Sequence, residues 1–143
     1  MSLSDQQRLQ GLTRWLEKLR QRCEVDPILV EGRHDLQALR ALGLVGRIEI
    51  VNQGRTLPDL ALDLARGRHC WVLLTDRDRR GGTLARTLDT LLRSSGSRTD
   101  HQERRALFRW AEISQVEQLP VYLQTLQERV AGQDRYARRR VQD

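Results

Sequence analysis

Three carboxylates, Glu31, Asp76 and Asp78, have the type and spacing to hold a divalent ion. Asp76 and Asp78 follow the uncharged run Cys70 to Thr75. Two residues apart on extended backbone, they point to one side. Like charges that close repel, and one stays protonated unless a cation is shared. Oxygen-only ligands of that charge suit Mg²⁺ or Mn²⁺ rather than zinc. Glu31 ends a second apolar run, Ile28-Leu29-Val30. Arg33, Arg77, Arg79 and Arg80 flank the acids and could grip phosphates; plain solvated surface accounts for each equally well. Gly32, Gly81 and Gly82 permit tight turns and close approach of a substrate. The structural alternatives are a helix cap for Asp78 and a salt bridge to a neighbouring arginine for Glu31. Asp35 reads as a helix cap, and His34 as incidental at a helix start.

Elements that would position these residues can be traced along the chain. Ser4 or Asp5 caps an amphipathic helix reaching about Arg22, with Leu9, Leu12, Leu16, Leu19 and Cys23 in one stripe. That stripe packs on the domain or on a second copy of the chain, so a homodimer is one expectation. Asp26-Pro27 breaks the helix. Ile28 to Glu31, Ile48 to Val51 and Cys70 to Thr75 read as buried strands. Helices are expected at Leu36 to Leu42, at Leu57 to Ala65 and after a Thr83 cap. The stretch from Ser94 to about Arg105 reads as a loop, and Ala106 to Trp110 as a weak fourth strand. Ser114 to Glu117 has the form of a capping box before a last helical region interrupted at Pro120. The basic tail from Arg135 to Arg140 reads as frayed. The βαβαβα alternation implies a mainly parallel sheet with helices on both faces. Right-handed crossovers then bring Glu31 and the aspartate pair to one edge.

At 143 residues the chain is large enough to bury its own core. No apolar run reaches the roughly 18 residues of a membrane span, and the N-terminus lacks the form of a signal peptide, so a cytoplasmic protein is expected. Cys23 and Cys70 read as small hydrophobes rather than a disulfide pair. Trp15, Trp71 and Trp110 read as core. The net charge is +6, and Lys18 is the only lysine. Arginine's planar fork favours a nucleic-acid partner, RNA or DNA, although a GC-rich genome also encodes arginine freely.

Glu31-Gly32, then Asp76-x-Asp78-x-x-Gly81 after a later strand, resembles the Toprim domain of topoisomerases, bacterial primases, overcoming-lysogenization-defect nucleases and 5S ribosomal RNA maturation nucleases. Val30-Glu31-Gly32-Arg33-His34-Asp35 is especially similar to the nuclease and primase branches. The resemblance covers about Pro27 to Trp110. It implies a Rossmann-like α/β fold with a four-stranded sheet, Glu31 as general acid/base or metal ligand, and Asp76 and Asp78 holding Mg²⁺. The expected organisation is an N-terminal helix (1–26), the Toprim-like domain (27–112) and a helical extension with a basic tail (113–143). The expected function is Mg²⁺-dependent phosphoryl transfer on nucleic acid, foremost as a nuclease in RNA processing. A primase-like nucleotidyl transferase and a non-catalytic nucleic-acid-binding module are the alternatives. Tyr122 and Tyr136 lack the motif context of a topoisomerase. The C-terminal RNA-binding domain of the maturases is not expected here, which leaves room for a protein partner that supplies specificity.

Overall fold

The structure, a computed structural model, describes residues 2–142. Four strands, β1 (Ile28–Val30), β2 (Ile48–Ile50), β3 (Cys70–Leu73) and β4 (Arg98–Asp100), form one sheet in the order β2-β1-β3-β4. Every pairing is parallel, with Ile28 opposite both Ile48 and Val72. Six α-helices accompany it among the described residues: α1 (Asp5–Arg22), α2 (Arg33–Ala41), α3 (Leu57–Leu64), α4 (Arg79–Ser94), α5 (Gln102–Trp110) and α6 (Leu119–Gln142). This is a Rossmann-like α/β layering.

Side-chain alternation along the strands divides the core in two. Ile28, Val30, Val72 and Leu74 face a cluster that holds Leu12, Leu16 and Leu19 of α1, Leu39 of α2, Leu107 of α5 and Leu126 of α6. Leu29, Trp71 and Leu73 face the other way, onto Leu60 and Leu64 of α3 and Leu88 and Leu92 of α4. The chain steps from β1 outward to β2 over one face. It returns to β3 and continues to β4 over the opposite face. A reversal of direction with right-handed crossovers requires that change of face. No helix is long and apolar enough to cross a membrane among the described residues.

Ser4 caps α1 reciprocally with Gln7, as the sequence suggests. The stripe of α1 is covered within the chain, by α5 and α6. Gly11 makes the approach possible: a Cβ there would lie 2.3 Å from the Trp110 ring. Trp15 Nε1 donates to the Glu103 carbonyl at 3.1 Å. At the far end of α1, Arg22 pairs with Asp100 and, at 3.1 Å, with Asp26.

The region after α4 departs from expectation. Ala106 to Trp110 is helical, within α5, and the fourth strand lies earlier at β4, inside the stretch read as loop. β4 is polar because it is an edge strand held by its backbone, so apolar patterning does not mark it. Asp100 Oδ1 accepts from Gln102 N at 2.6 Å and starts α5. The expected Ser114 box shifts by one residue. Gln118 Oε1 accepts from the N–H groups of Ser114 and Gln115, at 3.0 Å each, and closes a 3₁₀ turn at Val116–Gln118. Pro120 does not interrupt α6, because it sits in the first turn, where a missing N–H costs nothing. The basic tail is not frayed; α6 runs through it.

Candidate functional site

β1 and β3 are neighbours, and the chain's direction across the sheet reverses between them. In open α/β sheets ligands collect outside the strand ends at such a switch point. Glu31 is the first residue beyond β1, and Asp76 lies three beyond β3. Glu31 Oε1 accepts from Asp76 N at 3.1 Å. Asp76 is 7% exposed, and its Oδ1 accepts from Val116 N at 2.9 Å. The link before α6 thus reaches back across the domain to fix a carboxylate at the sheet edge.

Asp35 lines the same cleft as this pair. It is 6% exposed, with Oδ2 accepting from Gly32 N and Oδ1 from Glu117 N, both at 3.1 Å. It stands at the third position of α2 and bonds back to the cap residue Gly32, so its capping role holds although its place differs from a cap. Glu31, Asp35, Asp76 and Glu117, with Arg33 and His34, line one cleft of about 250 Å³. His34 Nδ1 lies 3.3 Å from Glu117 Oε2. Asp78 is turned to the helix behind it. It caps α4, accepting from Gly81 N at 2.7 Å, so Thr83 is not the cap.

Of the three glycines only Gly81 is pressed by a neighbour, and none serves a tight turn through positive φ. Gly81 and Gly82 lie inside the first turns of α4. Gly81 is required by close approach, since a Cβ would meet the Asp76 carbonyl oxygen at 2.0 Å. A Cβ on Gly82 would have nothing nearer than 3.7 Å, and one on Gly32 nothing nearer than 3.9 Å.

Burial pushes the carboxyls of Glu31, Asp35 and Asp76 above their ordinary range. Backbone N–H bonds oppose the rise, as does the Glu31 side chain at Asp76, and the charges of the other neighbouring carboxylates reinforce it. Asp78 adds to the rise through its charge on Glu31 and Asp76. Arg104 is the cation that sequence reading missed. Its Nε donates to the Thr75 carbonyl at 3.0 Å and its Nη2 to the Asp76 carbonyl at 2.5 Å. Burial lowers its pKa, while Glu31, Asp76 and Asp78 act against that. The signal that could have revealed it is Asp100 as the start of a helix, which would have set Arg104 on an element facing the acids.

The flanking arginines are divided around Glu31. Arg33 lines the acidic cleft, and Arg79 and Arg80 line a second, of about 650 Å³, that shares Glu31 and Asn52 with the first. Arg77 is exposed beside them, its N–H held by the Ser114 carbonyl at 2.8 Å. None of the four forms an ion pair among the described residues.

The donor chemistry of the acids fits Mg²⁺ or Mn²⁺. Glu31, Asp76 and Asp78 are hard oxygen ligands, each committing one oxygen to a backbone N–H and keeping the other. Crowded, partly buried carboxylates are relieved by a cation. As they stand, no three His, Cys, Asp or Glu side chains among the described residues are arranged to hold an ion.

No protein-family profile matches the chain. The UPF0292 protein of Methanosarcina barkeri is 35% identical over 101 residues, covering 69% of this chain and 70% of that protein. This chain belongs to the UPF0292 family. The UPF0292 protein of Thermococcus gammatolerans is 39% identical over 110 residues, covering 74% of this chain and 80% of its own. A solved structure of a protein from Aquifex aeolicus matches with a TM-score of 0.66 at 28% identity, covering 76% of this chain and 97% of that one. The UPF0292 chain described here therefore shares its fold with a solved structure over most of its length.

Proposed function

We propose that this protein is a Toprim-type enzyme of Mg²⁺-dependent phosphoryl transfer on nucleic acid, foremost a nuclease similar to those that mature 5S ribosomal RNA. The observation that carries the reading is the meeting of Glu31 and Asp76 on adjacent strand ends at the switch point, 3.1 Å apart from carboxylate to backbone N–H. Asp76 and Asp78, with Glu31, would hold the ion, which would neutralise charge on the scissile phosphate. Glu31, its carboxyl raised by burial, is the group to move a proton to or from the reacting oxygen. Arg33, Arg79 and Arg80 lie where flanking phosphates would pass on either side of Glu31. Arg104 positions Asp76 through its backbone carbonyl.

The test uses the full chain with labelled 5S precursor RNA, single-stranded DNA and duplex DNA, with Mg²⁺ or Mn²⁺. Cleavage that Asp76→Ala abolishes is expected; cleavage equal to wild type in that variant rejects the assignment. Nucleoside triphosphates and a template, added separately, test primase-like synthesis. The capping of α4 by Asp78 favours a second reading, a non-catalytic nucleic-acid-binding module. That reading predicts tight binding without cleavage under every metal condition.

A further inference from the structure

The C-terminal half of α6 has no place in the fold. Leu119, Tyr122, Leu123 and Leu126 pack into the core. The last ties to the domain are Arg129 and Gln133, which reach Asp5 at 3.4 and 3.0 Å. Every residue from Gln133 to Val141 is exposed, Tyr136 and Val141 strongly so. Arg135, Arg138 and Arg139 stand at i, i+3 and i+4, which sets them on one face. None has an ion-pair partner among the described residues. Like charges at that spacing weaken a helix. The macrodipole favours cations only in the last turn, so it accounts for Arg139 and not for Arg135 or Arg138.

We propose that this projecting segment is an arm that binds the phosphate backbone of a nucleic-acid duplex about one helical turn away from the carboxylate site. The inference rests on the reading of that site as one that acts on nucleic acid. α6 begins just after the turn whose N–H groups hold Asp76 and Asp35. At about 1.5 Å per residue, the three arginines lie roughly 24–30 Å along the helix from its start. A duplex rising about 3.4 Å per base pair covers that distance in roughly 7–9 pairs. A lipid surface fits poorly, because Asp134 and Arg140 interrupt the face opposite the arginines, where Tyr136, Ala137 and Val141 stand. A linear polyanion also continues the charge of Arg33, Arg79 and Arg80 at the clefts.

The experiment compares the full chain with the triple variant Arg135→Ala/Arg138→Ala/Arg139→Ala, binding duplex DNA and duplex RNA of 6 and 24 base pairs in EDTA. An unchanged circular-dichroism melt checks that the variant is folded. Because the variant leaves three phosphates unneutralised, the slope of log affinity against log salt flattens by about 2.7 on B-DNA. Between about 50 and 200 mM salt, wild type then loses roughly 40-fold more affinity than the variant. Wild type also binds the long duplex more tightly than the short one, and the variant loses that advantage. The triple Arg→Lys variant keeps the slope, because the charge remains.

An unchanged slope, or a length advantage retained in the alanine variant, overturns the proposal. So does arm-dependent binding to phosphatidylserine vesicles or polyglutamate without binding to duplex. Arm-dependent binding without cleavage fails the nuclease reading alone. Metal-dependent cleavage with arm-independent binding fails this inference alone.

Discussion

Gly81 and Gly82 are adjacent, both helical, and should respond to alanine in opposite directions. At Gly81 the new methyl carbon would lie 2.0 Å from the Asp76 carbonyl oxygen and 2.7 Å from its carbon. Ordinary contact begins at 3.4 Å, so α4 and the Asp76 backbone must part by about 1.4 Å. Neither can move freely. The Gly81 carbonyl accepts from Thr75 Oγ1 at 2.7 Å, and the Asp76 carbonyl is held by Arg104. Overpacking of this kind costs about 1–3 kcal/mol, only partly offset by the better helix propensity of alanine, roughly 1 kcal/mol at most. We expect a net loss of about 2 kcal/mol, a fall in Tm of roughly 6–8 °C for a chain of this size. Gly82→Ala has room and should gain about 0.4–1 kcal/mol by restricting the unfolded chain. The assay is thermal and urea unfolding of both variants beside wild type, followed by circular dichroism. Gly81→Ala as stable as wild type, or Gly82→Ala equally damaged, refutes the packing argument. If the site is catalytic, a displacement of that size at Asp76 should also lower turnover by about 10²-fold.

Four further outcomes are expected. Burial alone would raise the Asp100 carboxyl, but the Gln102 N–H and the Arg22 guanidinium outweigh it and hold it below its ordinary value. Its contribution to stability is therefore complete above about pH 4 and is lost as pH falls through the depressed value. Asp100→Asn should flatten the acid limb of a plot of unfolding free energy against pH, and an unaltered limb counts against the pair. Glu31, Asp35 and Asp76 are raised instead, so their protonation favours the folded chain, and stability should fall as pH rises through their elevated values. If the acids hold Mg²⁺ as proposed, the ion at about 100 times its Kd should stabilise the folded chain by roughly 2.7 kcal/mol, and a melt of Asp76→Ala should show no such gain. Arg104→Ala strips the donor from two carbonyls at the site edge and should cost about 1–3 kcal/mol in urea unfolding; a variant within error of wild type would show those carbonyls to be satisfied otherwise.

What the sequence determined by itself is the local pattern. Three apolar runs became β1, β3 and β2; the stripe of α1 and its Ser4 cap were readable; and Glu31 and Asp76 were placed at strand ends. These features follow from side-chain period and capping chemistry, which neighbours along the chain suffice to express. Tertiary structure alone decided the rest. β4 is a polar edge strand made by pairing with β3, so no apolar alternation announces it. Arg104, Val116 and Glu117 reach the acids across the fold, and only the packing of α5 and the 3₁₀ turn against the sheet brings them there. Asp35 keeps the capping bond expected of it and adds one to Glu117 N, while Asp78 takes the cap of α4, because each carboxylate bonds to whichever backbone N–H groups the packed helices present. Gly81 and Gly82 are the sharpest case, identical residues side by side, one pressed against the Asp76 backbone and one with room for a methyl group beside Arg86 and Arg104. A contact between residues distant in sequence is a property of the assembled core, and no window along the chain contains it.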